Sequence, residues 1–414
     1  MNSLKSTAKK IAVASINQLK PELLLKNIFK QIEFPDQVHL LAVGKAAWAM
    51  AKTAKEQLGN KIWNGSILTN YGNSSGNIEG LEIFEAGHPL PDDNSVKFTD
   101  KILKKISNLS PKDHLLMLIS GGGSALLEKP LESVTLSDLR SITQKMLKSG
   151  ADIDELNIVR KHLSAVKGGR FAKLVPCNIT AYIISDVMGD DPATIASGPV
   201  SAHKNNPEKV LEILKKYDIT LSENLKKAVN QATPGIIDNV EVTISGNNKL
   251  LCETAAKLAE NEGFNSFLYP LHLKGEAKQM GEKIAAIARR IKLQNDPVSS
   301  PCAVIFGGET TVKVTGNGIG GRNQEMLLGA AAGIAGLQDI VILAIASDGI
   351  DGPTEAAGGI VDGYSQKRIE AGGRSLNQIL AENDSFTALM KINSLIITGQ
   401  TGTNVNDLAI ILVK

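Results

Sequence analysis

Short apolar runs rich in Val, Ile and Leu alternate with stretches of helical spacing along almost the whole chain, and this alternation constrains the fold more than any other feature. VHLLAV (38–43), GSILTN (65–70), HLLMLIS (114–120) and ITAYIIS (179–185) have the composition of strands buried on both faces. Each meets small or polar residues at its carboxyl end. Helical stretches lie between them, for example 135–148, where Thr135 and Asp138 have the spacing of a capping box. Strands separated by helices of this length predict an α/β fold with a parallel sheet.

The turn-rich stretch NQATPGIIDN (230–239) is expected to divide the chain into domains 1–238 and 239–414. A second α/β set follows it: VEVTISG, a helix over 249–262, FNSFLYP and a helix over 275–293. A polar loop (294–301) then leads to CAVIFGG, TTVKVT, IVILAIA, SLIIT and LAIILV. TTVKVT (310–315) alternates apolar and polar residues, which predicts a strand solvated on one face and a mixed sheet. The first twenty residues carry no acid but show apolar residues at helical spacing, so an opening amphipathic helix is expected rather than a targeting segment.

With 414 residues, two or three domains can each bury a core. Lys+Arg total 45 against 43 Asp+Glu and aromatics are 4%, so neither a basic footprint nor stacking residues point to nucleic acid. No apolar run approaches the ~18–20 residues of a membrane span. Cys177, Cys252 and Cys302 are scattered without metal-ligand spacing, which suits a reducing, cytoplasmic setting.

Ligands of open parallel sheets collect beyond the carboxyl ends of the strands, so the residues there carry the functional argument. After the first strand, Lys45 stands at a helix start, where a cation opposes the helix dipole. After HLLMLIS comes SGGGSALL (120–127). Gly121, Gly122 and Gly123 can turn amides toward an anion, with Ser120 and Ser124 adding hydroxyls; an ordinary tight turn is the alternative. After ITAYIIS, Asp186 ends a buried strand and Asp190 and Asp191 follow in the loop. Such carboxylates suit Mg2+, or could cap the next helix.

The block LNIVRKHLSAVKGGRF (156–171) is cationic. Lys167 before Gly168 fits a helix C-terminus and His162 a satisfied structural histidine, whereas Arg160 in mid-helix has no such account. In the second half, Glu309 adjoins two glycines, Asp348 and Asp351 follow a buried-type strand, and Asn404 and Asp407 lie in TGTNVNDL. Arg322 opens a helix after GNGIGG, a second isolated cation against a dipole. Glycine-freed amides, carboxylates and isolated cations are together what phosphoryl transfer demands. No GxxxxGK[ST], HRD or DFG occurs, so neither the P-loop nor the protein-kinase type applies. GNGIGG formally satisfies GxGxxG, but the run before it alternates and no acid ends the next strand at the required distance, which weakens a dinucleotide reading.

Nine blocks in order, VGKAA, GHPLPD, LISGGGSALL, LNIVRKHLSAVKGGR, SDVMGDDPATIASGP, GGETTV, GGRNQE, DGIDGPTEAAGG and TGTNVNDL, resemble the glycerate 2-kinase family of the MOFRL type. The resemblance implies a Rossmann-like N-terminal domain and a distinct C-terminal α/β domain, with the active site in the cleft between them. It implies ATP- and Mg2+-dependent phosphorylation of D-glycerate to 2-phosphoglycerate. Some members are labelled hydroxypyruvate reductases, and an NAD(P)-dependent reductase is the alternative.

The family's lysine in VGKA falls on Lys45 and its arginine in GGRNQE on Arg322, both implied to bind substrate and phosphate. Catalysis is therefore expected from Lys45, Arg322 and Asp186. Ser120, Gly121, Gly122, Gly123, Ser124, Glu309 and Asn404 are expected on the ATP phosphates, Arg160 and Asp351 with Lys45 and Arg322 on the substrate, and Asp186 and Asp190 on Mg2+. Small molecules are the expected partners of a monomer or homodimer. Gln400 stands where the family pattern has proline, which loosens that turn.

Overall fold

Strands β1 (Val38–Val43), β2 (Ile62–Asn70), β3 (Leu81–Ala86), β4 (His114–Ile119), β5 (Asn178–Ile184) and β6 (Val240–Gly246) form one sheet in the order β3-β2-β1-β4-β5-β6. The pairs from β3 through β5 are parallel. β1 and β4 align from Val38 opposite His114 to Val43 opposite Ile119, so they end level. From that pair the chain winds outward in both directions. This is the topological switch point at which such sheets open a crevice for ligands. β3 is an edge strand buried on alternate residues only, which is why LEIFEA lacks the apolar run of its neighbours.

This computed structural model describes residues 2–203, 206–231 and 233–414. Two compact units emerge, residues 21–245 and residues 1–20 together with 246–414. β6 lies beyond the turn-rich stretch expected to divide the chain, of which Ala232 is outside the described residues. It nonetheless completes the first sheet: the Ile179 amide donates to the Asn239 carbonyl at 2.8 Å and the Ser245 hydroxyl to the Ile183 carbonyl at 3.0 Å.

The second unit holds β7 (Asn265–Leu268), β8 (Cys302–Gly308), β9 (Ile340–Ala346), β10 (Gly358–Asp362), β11 (Leu395–Ile396) and β12 (Asp407–Val413), ordered β11-β10-β9-β12-β8-β7. β7 and β8 are parallel and the other pairs antiparallel, so the sheet is mixed. β8, β9 and β12 are buried throughout, as their continuous apolar sequences require. TTVKVT does not supply the mixed character. Only Thr311 bridges, to Glu276, and the amides of Thr315 and Gly316 donate to the Asn383 side chain instead of a strand.

The N-terminal helix Asn2–Gln18 is amphipathic as expected, and it packs on helix Asn248–Asn261 and β9 of this second unit. The Lys5 ammonium pairs there with the buried Asp362 carboxylate at 2.7 Å. In the first unit, helix Leu136–Lys148 starts with the reciprocal Thr135–Asp138 capping box read from the sequence.

Candidate active site

At the level ends of β1 and β4 the chain is tied across the switch point. The Lys45 amide donates to the Gly121 carbonyl at 2.9 Å, and the Ala46 amide to the Ser120 hydroxyl at 3.0 Å. Gly122 has φ 88°, a conformation that favours glycine. A Cβ at Gly122 would stand 3.2 Å from both the Lys45 Cγ and the His88 Cδ2, and one at Gly121 would collide with the Asp186 carboxylate. The glycine turn therefore brings together Lys45, Asp186 and His88.

None of these three makes an ion pair among the described residues, and the Asp186 side chain receives no hydrogen bond from another residue. Burial raises the Asp186 pKa, opposed by the charge of Lys45. Desolvation, with Lys45 and Arg160 nearby, lowers His88 to about 4, so its imidazole is neutral. Arg160, in the last turn of helix Ile153–Leu163, also lacks a hydrogen-bonded or ionic partner among the described residues. Burial pulls its pKa down, opposed by Glu128. Two cations therefore lie near a neutral His88, beside a carboxylate whose charge burial disfavours. Such surroundings favour an anion.

Ser120 is taken up by the Ala46 amide, and the Ser124 hydroxyl lies 2.9 Å from that of Ser197. The Ser197 hydroxyl in turn donates to Asn157 at 3.0 Å. His162 is structural as read, with Nδ1 2.9 Å from the Ile158 carbonyl. Lys167 is not at a helix C-terminus, since that helix ends at Leu163; it is buried against Glu128. Asp190 adopts φ 54° in the loop after β5.

In the second unit Arg322 opens helix Arg322–Gly333, but it is not isolated. Its Nε and Nη2 donate to the two Asp407 oxygens at 2.6 and 2.8 Å, and Nη1 lies 3.1 Å from Glu309. The free amides of the helix are met by Asp351, which accepts from Asn323 at 3.1 Å and Gln324 at 2.9 Å. The anions that reconcile Arg322 with the dipole are thus the chain's own. Register explains the arrangement: Asp407 begins the antiparallel β12 opposite Gly308 and Ala346, at the carboxyl ends of β8 and β9.

Burial raises Asp407 to about 6 against the pull of Arg322, and raises Asp351 to about 6 against the two amides. Burial lowers Arg322, but Asp407 more than offsets it and the guanidinium is raised. Asn404 lies two residues ahead of Asn406, whose amide donates to its side chain at 3.3 Å. The glycines of GNGIGG serve packing: Gly316 and Gly318 lie against the Glu382 backbone and Gly321 against Asp351. No strand runs directly into them, since β8 ends at Gly308, so the dinucleotide geometry is absent among the described residues.

Residues 7–232 match a domain of unknown function (DUF4147) and residues 302–407 match the MOFRL family. A D-glycerate 2-kinase of Thermotoga maritima is 48% identical over 412 residues, spanning 99% of this chain and 99% of that protein. This chain belongs to the MOFRL-type glycerate 2-kinase family. A crystal structure of glycerate kinase from Thermotoga maritima matches with a TM-score of 0.95 and 47% identity over 100% of both chains. A protein of Agrobacterium vitis named as a hydroxypyruvate reductase is 39% identical, covering 90% of this chain and 86% of its own length.

Within this MOFRL-type chain two site residues escaped the candidate set. His88 lies in GHPLPD, just past β3, an edge strand without an apolar run to mark its end. Asp407 was visible as a carboxylate in TGTNVNDL, but only an antiparallel β12 turns it toward Arg322. A lone acid at the head of an apolar run was the available signal.

Proposed function

We propose that the chain is a glycerate 2-kinase, transferring the γ-phosphoryl group of ATP to the 2-hydroxyl of D-glycerate. The observation that carries this reading is the glycine turn at the switch point, with Lys45 and Arg160 making no ion pair or side-chain hydrogen bond among the described residues. Phosphate or carboxylate oxygens supply what those cations lack, and turned amides add directional donors.

Lys45 and Arg160 hold anionic oxygens, and the amides of Gly121, Gly122 and Gly123 line the phosphate path. Asp186 is placed to accept the proton that leaves the 2-hydroxyl, since burial has raised its affinity for one. In the second unit the Arg322 fork is preset by Asp407, leaving N–H groups for an incoming anion, with Asp351, Glu309 and Asn404 around it.

Among the described residues no group of three or more His, Cys, Asp or Glu side chains could hold a metal ion. Mg2+ would arrive on the nucleotide phosphates and meet Asp190, leaving Asp186 to the proton. Such an ion supplies charge neutralisation at the phosphate oxygens. A cytoplasmic setting completes the proposal, and three buried free cysteines suit its reducing conditions.

The test is one coupled assay offered both cofactors. ATP consumption that requires D-glycerate and Mg2+, with a product identified as 2-phosphoglycerate, is the expected result. Oxidation of NAD(P)H by hydroxypyruvate without ATP consumption would replace this reading with the reductase.

A further inference from the structure

Beneath the glycine turn lies an ion pair that the fold does not require for charge balance at any surface. The Lys167 ammonium lies 3.2 Å from the Glu128 carboxylate, and both side chains are 1% exposed. Lys167 also donates to the Ser124 carbonyl at 2.7 Å and the Leu127 carbonyl at 3.1 Å. An ammonium has three donors, and here all three are spent. Two of them grip Ser124 and Leu127 in SGGGSALL, the segment that carries the three glycines.

Ion pairs buried this deeply add little net stability, because desolvating both charges offsets their attraction; well-packed apolar pairs of the same volume often do as well or better. The second Glu128 oxygen has no hydrogen-bond partner, a further cost. What the pair does supply is geometry. It clamps the carbonyls just after the three glycines, while the Ser124–Ser197–Asn157 chain ties the same turn to the helix that carries Arg160.

We propose that Lys167 is a positioning residue for phosphoryl transfer, fixing the glycine turn from below through Ser124 and Leu127, with Glu128 holding it in place. The inference rests on the reading that this turn binds the transferred phosphate. Tight placement matters because a displacement near 1 Å at a reacting centre costs on the order of 100-fold in rate.

The experiment compares K167M, E128Q and the double variant K167M/E128L by thermal unfolding and by kcat and KM in the glycerate-dependent ATP assay. K167M leaves a buried carboxylate unpaired and is expected to melt lower. The double variant removes both charges and is expected to regain the wild-type melting temperature while kcat stays down by roughly 10- to 100-fold, with KM for ATP and glycerate within about threefold. E128Q keeps an oxygen acceptor of the same shape and is expected to retain kcat within about threefold. A double variant that recovers kcat along with its melting temperature overturns the proposal, leaving the pair a stability element. Should that variant not fold, K167M decides when assayed well below its own melting temperature: a folded K167M protein with wild-type kcat also overturns it. A wild-type protein without glycerate-dependent ATP consumption would instead defeat the underlying functional reading.

Discussion

The two units present arginines and lysines at sheet ends in opposite electrical states. In residues 21–245, Lys45 and Arg160 form no ion pair among the described residues, and the His88 near them is neutral. In the other unit Arg322 is forked onto Asp407 and touched by Glu309, while Asp351 caps the helix that Arg322 begins. One region is an electropositive recess awaiting charge. The other is a finished network whose members orient one another. An unanswered cation costs stability and is tolerated for binding, whereas a preset one keeps its orientation before any ligand arrives.

Lys45→Ala gives the largest separation between the regions. Losing a donor aimed at the transferred phosphoryl is expected to lower kcat/KM by roughly 100- to 1000-fold, with the melting temperature little changed, since the buried Asp186 near it can take up a proton in place of the lost charge. A steep fall in melting temperature would show that Lys45 is structural and dissolve the contrast. Arg322→Ala is expected to lose activity to a similar extent, but to melt roughly 5–10 °C lower, because the buried Asp407 would lose both the cation and the donors that meet it. Adding Asp407→Asn should restore much of the melting temperature and none of the activity. An Arg322→Ala protein as stable as wild type would place Arg322 in the same class as Lys45.

Arg160→Met tests the recess more finely. Its guanidinium has no protein partner to abandon, so stability is expected to hold or rise slightly. KM for the anionic substrate is expected to rise about tenfold with a smaller change in kcat, as for uniform binding. Destabilisation without a KM effect would assign Arg160 to the fold.

Why one region was easier to read in the sequence than the other follows from the same contrast. The parallel sheet announces itself because β1, β4 and β5 are apolar runs that end in Gly44–Lys45, Ser120–Gly121 and Asp186, so sequence position alone puts these groups at one edge. Arg322 looked equally alone in the sequence, since its partners lie 13 and 85 residues away and meet it only through β8 and an antiparallel β12. Such pairing is set by register, which no local pattern encodes. TTVKVT misled for a related reason: alternation records a half-buried segment, and Asn383 can satisfy its backbone as well as a neighbouring strand would. The N-terminal helix was legible as a helix, but its place beside β9 rests on partners far along the chain, among them Asp362 and Glu262, which pair with Lys5 and Lys10.

The smallest effect probes whether the network in the second unit carries a proton as well as a geometry. Asp351 is fully buried and raised to about 6, chiefly by burial, from an ordinary value of 3.8. Between those values the folded protein holds a proton that the unfolded chain has released, so stability from this group is greatest below pH 3.8 and is lost as pH rises through 6. Asp351→Asn removes that dependence along with part of the cap on helix Arg322–Gly333. The variant should therefore melt below wild type at every pH, with a deficit a few degrees larger at pH 4.5 than at pH 7.5. A deficit that instead grows toward pH 7.5 would mean that the two amides outweigh burial and hold the carboxylate ionised, as a dedicated anionic cap. In that case Asp351 could not share a proton with Asp407, and the second unit would be a purely electrostatic frame for Arg322.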